Sequence, residues 1–277
     1  MTFPHHHPLA EAGPVPARPA APRIRRGQVA AVATVAALDL LAHRIDHQAG
    51  RTAARYGAAV ALLGIARAAG VSWAGLGLGR GDLGSGMRTG LVAGGCAAAA
   101  VLAAAALPAT RGFLLDERAA GRGGLASGLA RITFAAVPPE ELSYRSALLG
   151  IWLGDGTRAG AVAWSSALFG VSHILPTLST MSQTALDRHL ARRPLRQAAF
   201  VAGNVVATSA AGAVFAWLRL RSGSVAAPLL AHAALNDSAL IAGRVAHRLG
   251  RRVRASPGAP DAGKAAGPDV PSRPPGG

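Results

Sequence analysis

The residues that could carry out chemistry in this chain are polar side chains placed inside long apolar blocks. Two adjacent carboxylates, Glu140 and Glu141, follow a proline pair in one block, and His173 lies near the end of the next. His232 and Asn236 lie four residues apart in the last block. Ionisable groups at membrane depth are costly, so each is by default a candidate for function. Together they offer a carboxylate, two imidazoles and an amide, a set that can activate water.

The two adjacent carboxylates are expected to do different work, because neighbouring residues point about 100° apart on a helix. Glu141 and Arg145 are spaced i,i+4, which allows an ion pair between them. Glu140 is then left to face a cavity, on the same helix face as Tyr144. The competing interpretation is that both carboxylates only cap a helix at the membrane interface, since a helix N-terminus favours negative charge.

Each histidine also has a purely structural interpretation. A single histidine on an apolar helix, such as His173, is more often a packing residue than a ligand. His232 and Asn236 share one helix face and should point into the bundle, because lipid offers them no partner. They could equally form an interhelical hydrogen-bonded pair that holds the bundle together.

Two kinds of hydrolytic site can be built from these residues. In a metal-free site, Glu140 takes a proton from a water molecule that His173 also holds. His232 and Asn236 then donate hydrogen bonds to the developing oxyanion. In a zinc site, Glu140, His173 and His232 bind Zn²⁺ and leave an open position for water. Both predict hydrolysis of an acyl bond, with a peptide as the expected substrate, and the cofactor stays undecided between none and Zn²⁺.

The elements that must position these residues are apolar blocks long enough to form membrane helices. Of the 277 residues, 51% are hydrophobic and only 15% are charged, whereas soluble domains carry about 25% charged residues. The blocks are 28–42, 54–71, 88–108, 124–153, 158–175, 197–218 and 224–243. A spanning helix needs about 20 residues, a length that 88–108, 197–218 and 224–243 meet. The first two blocks are weak spans.

Prolines and isolated charges modify these blocks. Block 124–153 is too long for one straight span, and Pro138 with Pro139 should kink or divide it. Pro176 should stop the helix that carries His173. Asp39, like His43 and Arg67, is assigned no chemistry, because it lies in a weak block where an interfacial helix explains a charge.

The predicted fold is therefore all-α, a polytopic bundle of about six to eight transmembrane helices with disordered tails. The membrane domain is predicted over 28–246, with the motifs in about 124–245. Residues 1–27 are rich in proline and end in arginines, and residues 247–277 are basic and rich in proline and glycine. Both stretches are predicted to be disordered tails.

The basic excess is explained by arginines at the edges of the blocks. The chain has 29 Lys and Arg against 13 Asp and Glu, a net charge of +16. Arginines cluster between the fifth and sixth blocks and again after the last block, so the positive-inside rule predicts that both regions and the C-terminal tail face the cytoplasm. Nucleic acid is excluded as a partner, because no basic stripe with interleaved aromatic residues is present. The single cysteine, Cys96, excludes a disulfide framework and a cysteine-based zinc site.

The three polar sets follow the order of motifs in a known family. The motifs EExxxR, FxxxH and HxxxN occupy Glu140–Arg145, Phe169–His173 and His232–Asn236. They resemble those of the CPBP family of intramembrane proteases, also called the CAAX protease and bacteriocin-processing family or the Abi family. The stretches 75–94 and 221–237 resemble membrane segments of the same family.

This resemblance implies roles for individual residues. Glu140 and His173 would activate water, and His232 with Asn236 would stabilise the oxyanion. The resemblance leaves metal dependence disputed. The glutamate-type mechanism is preferred over a metalloprotease, because it leaves all four polar groups free for water and substrate.

The resemblance also implies a structural role for the Glu141–Arg145 pair. Tyr144 stands where the family usually has phenylalanine, and Ser146 where glycine is common. Neither departure touches a catalytic position.

The predicted function is that of an intramembrane endopeptidase in a bacterial plasma (inner) membrane. Its partners would be the bilayer and a membrane-embedded or lipidated protein or peptide. The alternative is a non-catalytic membrane scaffold or bacteriocin-immunity factor on the same fold. A transporter could use buried carboxylates and histidines to relay protons, but the sequence lacks the internal repeat common in transporters.

Overall fold

The computed structural model describes residues 22–107, 124–154, 156–182 and 193–255. Most of both predicted tails lies outside these residues. So do residues 109–123, between the third and fourth apolar blocks, and Arg188 and Arg192, two of the arginines between the fifth and sixth blocks. Helices nevertheless extend into both predicted tails, since the first begins at Pro22 and the last ends at Ala255.

Every regular element in the described part of the chain is helical, which confirms the predicted all-α fold. We label the main helices α1 to α8 in chain order: α1 (Pro22–Arg44), α2 (Gln48–Ala68), α3 (Leu83–Ala106), α4 (five segments, below), α5 (Arg158–Val171), α6 (Ile174–Ser182), α7 (Pro194–Ser222) and α8 (Ala226–Ala255). A short 3₁₀ turn, Arg80–Asp82, leads into α3.

Three helical stretches among the described residues are long and apolar enough to cross a membrane: Arg80–Ala106, Arg158–Ser179 and Pro194–Ser222. The first and third contain most or all of the predicted spans 88–108 and 197–218. Helix α8, which carries the predicted span 224–243, is not among them. Polar residues within its apolar stretch, among them His232 and Asn236, lower its mean hydropathy.

Helix α4 runs through block 124–153 and changes type along its length. Its segments are Leu125–Ala130, Val137–Glu141 and Leu149–Leu153, which are α-helical, and Arg131–Ala136 and Leu142–Leu148, which are π-helical. The proline pair does not separate two helices, contrary to one predicted outcome. Pro138 and Pro139 lie in the first turn of an α segment, where a missing N–H is tolerated. The change in hydrogen bonding that the two prolines cause falls in the preceding π-helical segment, Arg131–Ala136.

Pro176 does not stop the helix that precedes it, which corrects the second proline prediction. Helix α5 ends at Val171, five residues before the proline, and a turn at Ser172 and His173 leads into α6. Pro176 falls in the first turn of α6, a position that a proline accepts. His173 therefore lies at a junction between two helices rather than inside one.

Helices α3 and α8 pack closely through a row of glycines spaced four residues apart. Cβ atoms added at Gly86, Gly90 and Gly94 would lie within 2.5–2.9 Å of atoms on or just before α8. Small residues at this spacing allow membrane helices to approach backbone to backbone. This contact places α8, and with it His232, against the rest of the bundle.

Candidate active site

A cavity of about 160 Å³ lies between α1, α2, α4 and the turn that joins α5 to α6. Glu140 and His173 are both in its wall, as the sequence predicted for Glu140. Tyr144 lines it too, on the same side of α4 as Glu140. The rest of the lining is mostly apolar, with Val35, Ala42, Ala58, Leu62, Pro139 and Pro176. The cavity has room for several water molecules.

The ring of His173 has a defined orientation. Its Nδ1 lies 2.7 Å from the carbonyl oxygen of Phe169, and a carbonyl oxygen only accepts, so Nδ1 carries the hydrogen. In the neutral ring Nε2 is then left with a free lone pair. The ring also packs edge-on against Phe169, with centroids 4.6 Å apart. His173, at the α5–α6 turn, is therefore a residue of the cavity wall whose Nε2 can accept a hydrogen bond.

Glu141 does not line that cavity and instead contacts two side chains, those of Arg145 and His232. Its Oε2 lies 3.6 Å from Nε of Arg145, and both side chains are fully buried. Its Oε1 lies 2.8 Å from Nδ1 of His232. The predicted Glu141–Arg145 pair is therefore present, and the same carboxylate reaches across from α4 to α8.

Arg145 is held inside the bundle largely by aromatic rings. Its guanidinium carbon lies 4.1 Å from the ring centroid of Phe169 and 5.3 Å from that of Phe215. Cations over aromatic faces are stabilised, most strongly when desolvated. Gly212 leaves room for this arrangement, since a Cβ there would lie 3.2 Å from Nη2 of Arg145.

His232 is buried and lies outside the cavity wall. Its ring stacks on Phe215 with centroids 4.7 Å apart and packs edge-on to Phe169 at 6.1 Å. Asn236 lies one turn further along α8 and is half-buried. The structure thus brings Glu140 together with His173, and His232 together with Glu141, rather than all the predicted residues into one cavity.

The predicted zinc ligands do not fit a metal site as they lie here. Within the described ranges, no group of three or more His, Cys, Asp or Glu side chains is arranged to hold a metal ion. The Nδ1 atoms of His173 and His232 both bond to protein oxygens, which leaves only Nε2 of each ring to bind a metal ion. His232 also lies outside the cavity that Glu140 and His173 line.

Two charged residues in the cavity wall were not predicted as part of the site. Asp39 from α1 and Arg55 from α2 line the cavity beside Glu140 and His173. The carboxylate of Asp39 interacts electrostatically with Arg55, His173 and Glu140. The signal for Asp39 was an acidic residue inside an apolar block. Nothing in the sequence indicated that α1 and α2 close this cavity.

Comparison with known protein families matches residues 122–237 to the family described as Type II CAAX prenyl endopeptidase Rce1-like. The matched segment contains all three motifs, and the predicted resemblance to CAAX-type proteases is confirmed. The match and the apolar helices point to an integral membrane protein of a protease family. No curated protein and no solved structure matches the chain.

Proposed function

We propose that this chain, Rce1-like over residues 122–237, is an intramembrane endopeptidase that uses Glu140 to activate water without a metal ion. The observation that supports it best is the cavity shared by Glu140 and His173, in which His173 offers Nε2 as an acceptor. A carboxylate and an imidazole beside one small cavity are the groups that general-base hydrolysis needs.

The reaction can be written with these two side chains. The Glu140 carboxylate takes one proton from water while Nε2 of His173 accepts a hydrogen bond from the other. The water oxygen attacks the peptide carbonyl carbon, and the carbonyl oxygen becomes an oxyanion. Glu140 then returns the proton to the amide nitrogen, the C–N bond breaks, and a carboxylic acid and an amine are released.

The proposed oxyanion donors are His232 and Asn236, a role that comes from the family resemblance. The side-chain amide of Asn236 does not titrate, so its NH₂ group can always donate a hydrogen bond. Nδ1 of His232 already faces Glu141, so Nε2 can donate only when the ring carries both protons. Since neither residue lines the cavity, this role requires the substrate carbonyl to lie between the cavity and α8.

The proposed substrate is a membrane-embedded or lipidated protein or peptide. The match is to a prenyl endopeptidase family, and three described helices are long and apolar enough for a bilayer. We place the protein in a bacterial plasma membrane with its C-terminal tail in the cytoplasm, because arginines cluster after the last apolar block.

Cleavage of prenylated and transmembrane peptides by the purified chain in proteoliposomes tests the proposal. Glu140→Gln and His173→Ala should each lower turnover by about 10²–10⁴-fold, the usual contribution of a general base. Asp46→Asn is the matched control, because Asp46 is an exposed carboxylate outside the cavity wall. If both cavity variants cleave as fast as the parent chain, the assignment is wrong.

A non-catalytic scaffold or immunity factor is the second candidate. The observation that favours it is the fully buried Glu141–Arg145 pair with its bond to His232, a network that serves the fold without Glu140. In that case Glu140→Gln would leave the cellular phenotype unchanged, while Glu141→Ala would destabilise the protein.

A further inference from the structure

The proline pair in α4 removes the helical hydrogen bonds to one particular carbonyl group. In an α-helix the carbonyl of residue i accepts from the N–H of residue i+4, and in a π-helix from residue i+5. For Phe134 these positions are Pro138 and Pro139, and proline has no N–H. The nearest preceding donor, the N–H of Val137, goes to the carbonyl of Ile132 instead.

A side chain from another helix supplies the missing donor. The hydroxyl of Tyr56, on α2, donates to the carbonyl oxygen of Phe134. Phe134 lies at the surface of the protein, 68% exposed, and a backbone carbonyl that faces lipid without a hydrogen-bond partner is costly. Tyr56 therefore satisfies a group that the sequence of α4 itself leaves without a partner.

This bond joins two walls of the cavity. Glu140 lies two residues after Pro138, and α2 contributes Arg55, Ala58 and Leu62 to the cavity wall. The bond ties α2 to α4 six residues before Glu140, and so constrains the separation of these two helices near the point where Glu140 joins the cavity wall.

We propose that Tyr56 is a positioning residue, which holds the proline turn of α4 against α2 so that Glu140 faces water and substrate in the cavity. Tyr56 lies outside the segment that matches the protease family. The effect on turnover rests on the proposed endopeptidase function, whereas the hydrogen bond and its coupling to the prolines do not.

The test compares Tyr56→Phe in the parent chain and in a Pro138→Ala background, using the full chain in proteoliposomes and in detergent. Tyr56→Phe should lower Tm by about 2–4 °C and kcat by about tenfold, with KM within about twofold. Both losses should shrink in the Pro138→Ala background, because the new backbone N–H at position 138 can bond to Phe134. If that background does not fold, Pro139→Ala replaces it, since position 139 is the π-helical donor.

Thr34→Val is the matched control, because it removes a hydroxyl that bonds to Ala30, a carbonyl within α1 that keeps its own helical donor. The proposal is overturned if Tyr56→Phe lowers Tm and kcat no more than Thr34→Val does. It is also overturned if Tyr56→Phe lowers them equally in the parent chain and in the Pro138→Ala background. A lower Tm with an unchanged kcat would show that Tyr56 only stabilises the fold, and would overturn the positioning role. If the parent chain cleaves no peptide, the proposed function fails, and the Tm comparison still decides whether Tyr56 replaces the missing donor.

Discussion

The contact between α3 and α8 gives a sharp prediction for Gly90→Ala. A Cβ at Gly90 would lie 2.8 Å from the carbonyl oxygen of Ala227, 3.0 Å from its Cα and 2.9 Å from Cβ of Leu230. Carbon–carbon contacts are optimal at about 3.5–4.0 Å, so α8 must retreat by about 0.5–1 Å. The atoms in the way are mostly backbone, so a rotamer change cannot relieve the contact.

Two effects should follow from that retreat. Overpacking of this kind costs about 1–3 kcal/mol of folding free energy. The retreat also displaces His232, two residues after Leu230, relative to Glu141, and a shift of about 0.5–1 Å is enough to disturb the 2.8 Å hydrogen bond between them. A displacement of about 1 Å in a catalytic arrangement costs up to about 10²-fold in rate.

Gly95→Ala on the same helix is the matched control, because a Cβ at Gly95 meets nothing within 4 Å. It should stabilise the helix by about 0.5–1 kcal/mol through its lower backbone entropy. Thermal unfolding in detergent and peptide cleavage in proteoliposomes measure the two effects. Equal stability and equal turnover for Gly90→Ala and Gly95→Ala would refute the packing argument.

Two further predictions concern charge and metal. Glu141→Gln should lower the free energy of unfolding by about 3–5 kcal/mol, because it leaves the buried Arg145 without a counter-charge. Glu140→Gln should leave that free energy nearly unchanged while it lowers turnover, and chemical denaturation of both variants checks the contrast. Verified removal of bound metal should leave turnover of the parent chain intact, and a loss restored by Zn²⁺ would instead support a zinc site.

Much of the helical architecture could be read from the apolar blocks, because a segment in lipid must satisfy its own backbone groups. The pair Glu141–Arg145 was also predictable, since i,i+4 spacing brings side chains together within a single helix. The effect of Pro138 and Pro176 on their helices was not predictable from the sequence. It depends on how the neighbouring turns pair the carbonyl groups that a proline leaves without a donor. At Pro138 the neighbour is a π segment, and Tyr56 from α2 pairs the carbonyl of Phe134.

The sequence by itself determined the helical class, the three motifs and the pairing of Glu141 with Arg145. All of these depend on composition and on spacing within one helix. Only the tertiary structure decided which side chains from different helices meet. It placed Asp39 with Glu140 and His173, and it placed His232 on Glu141. Such contacts follow from which helices approach one another, and a pattern within one helix, such as the glycine row of α3, does not say which helix will pack against it.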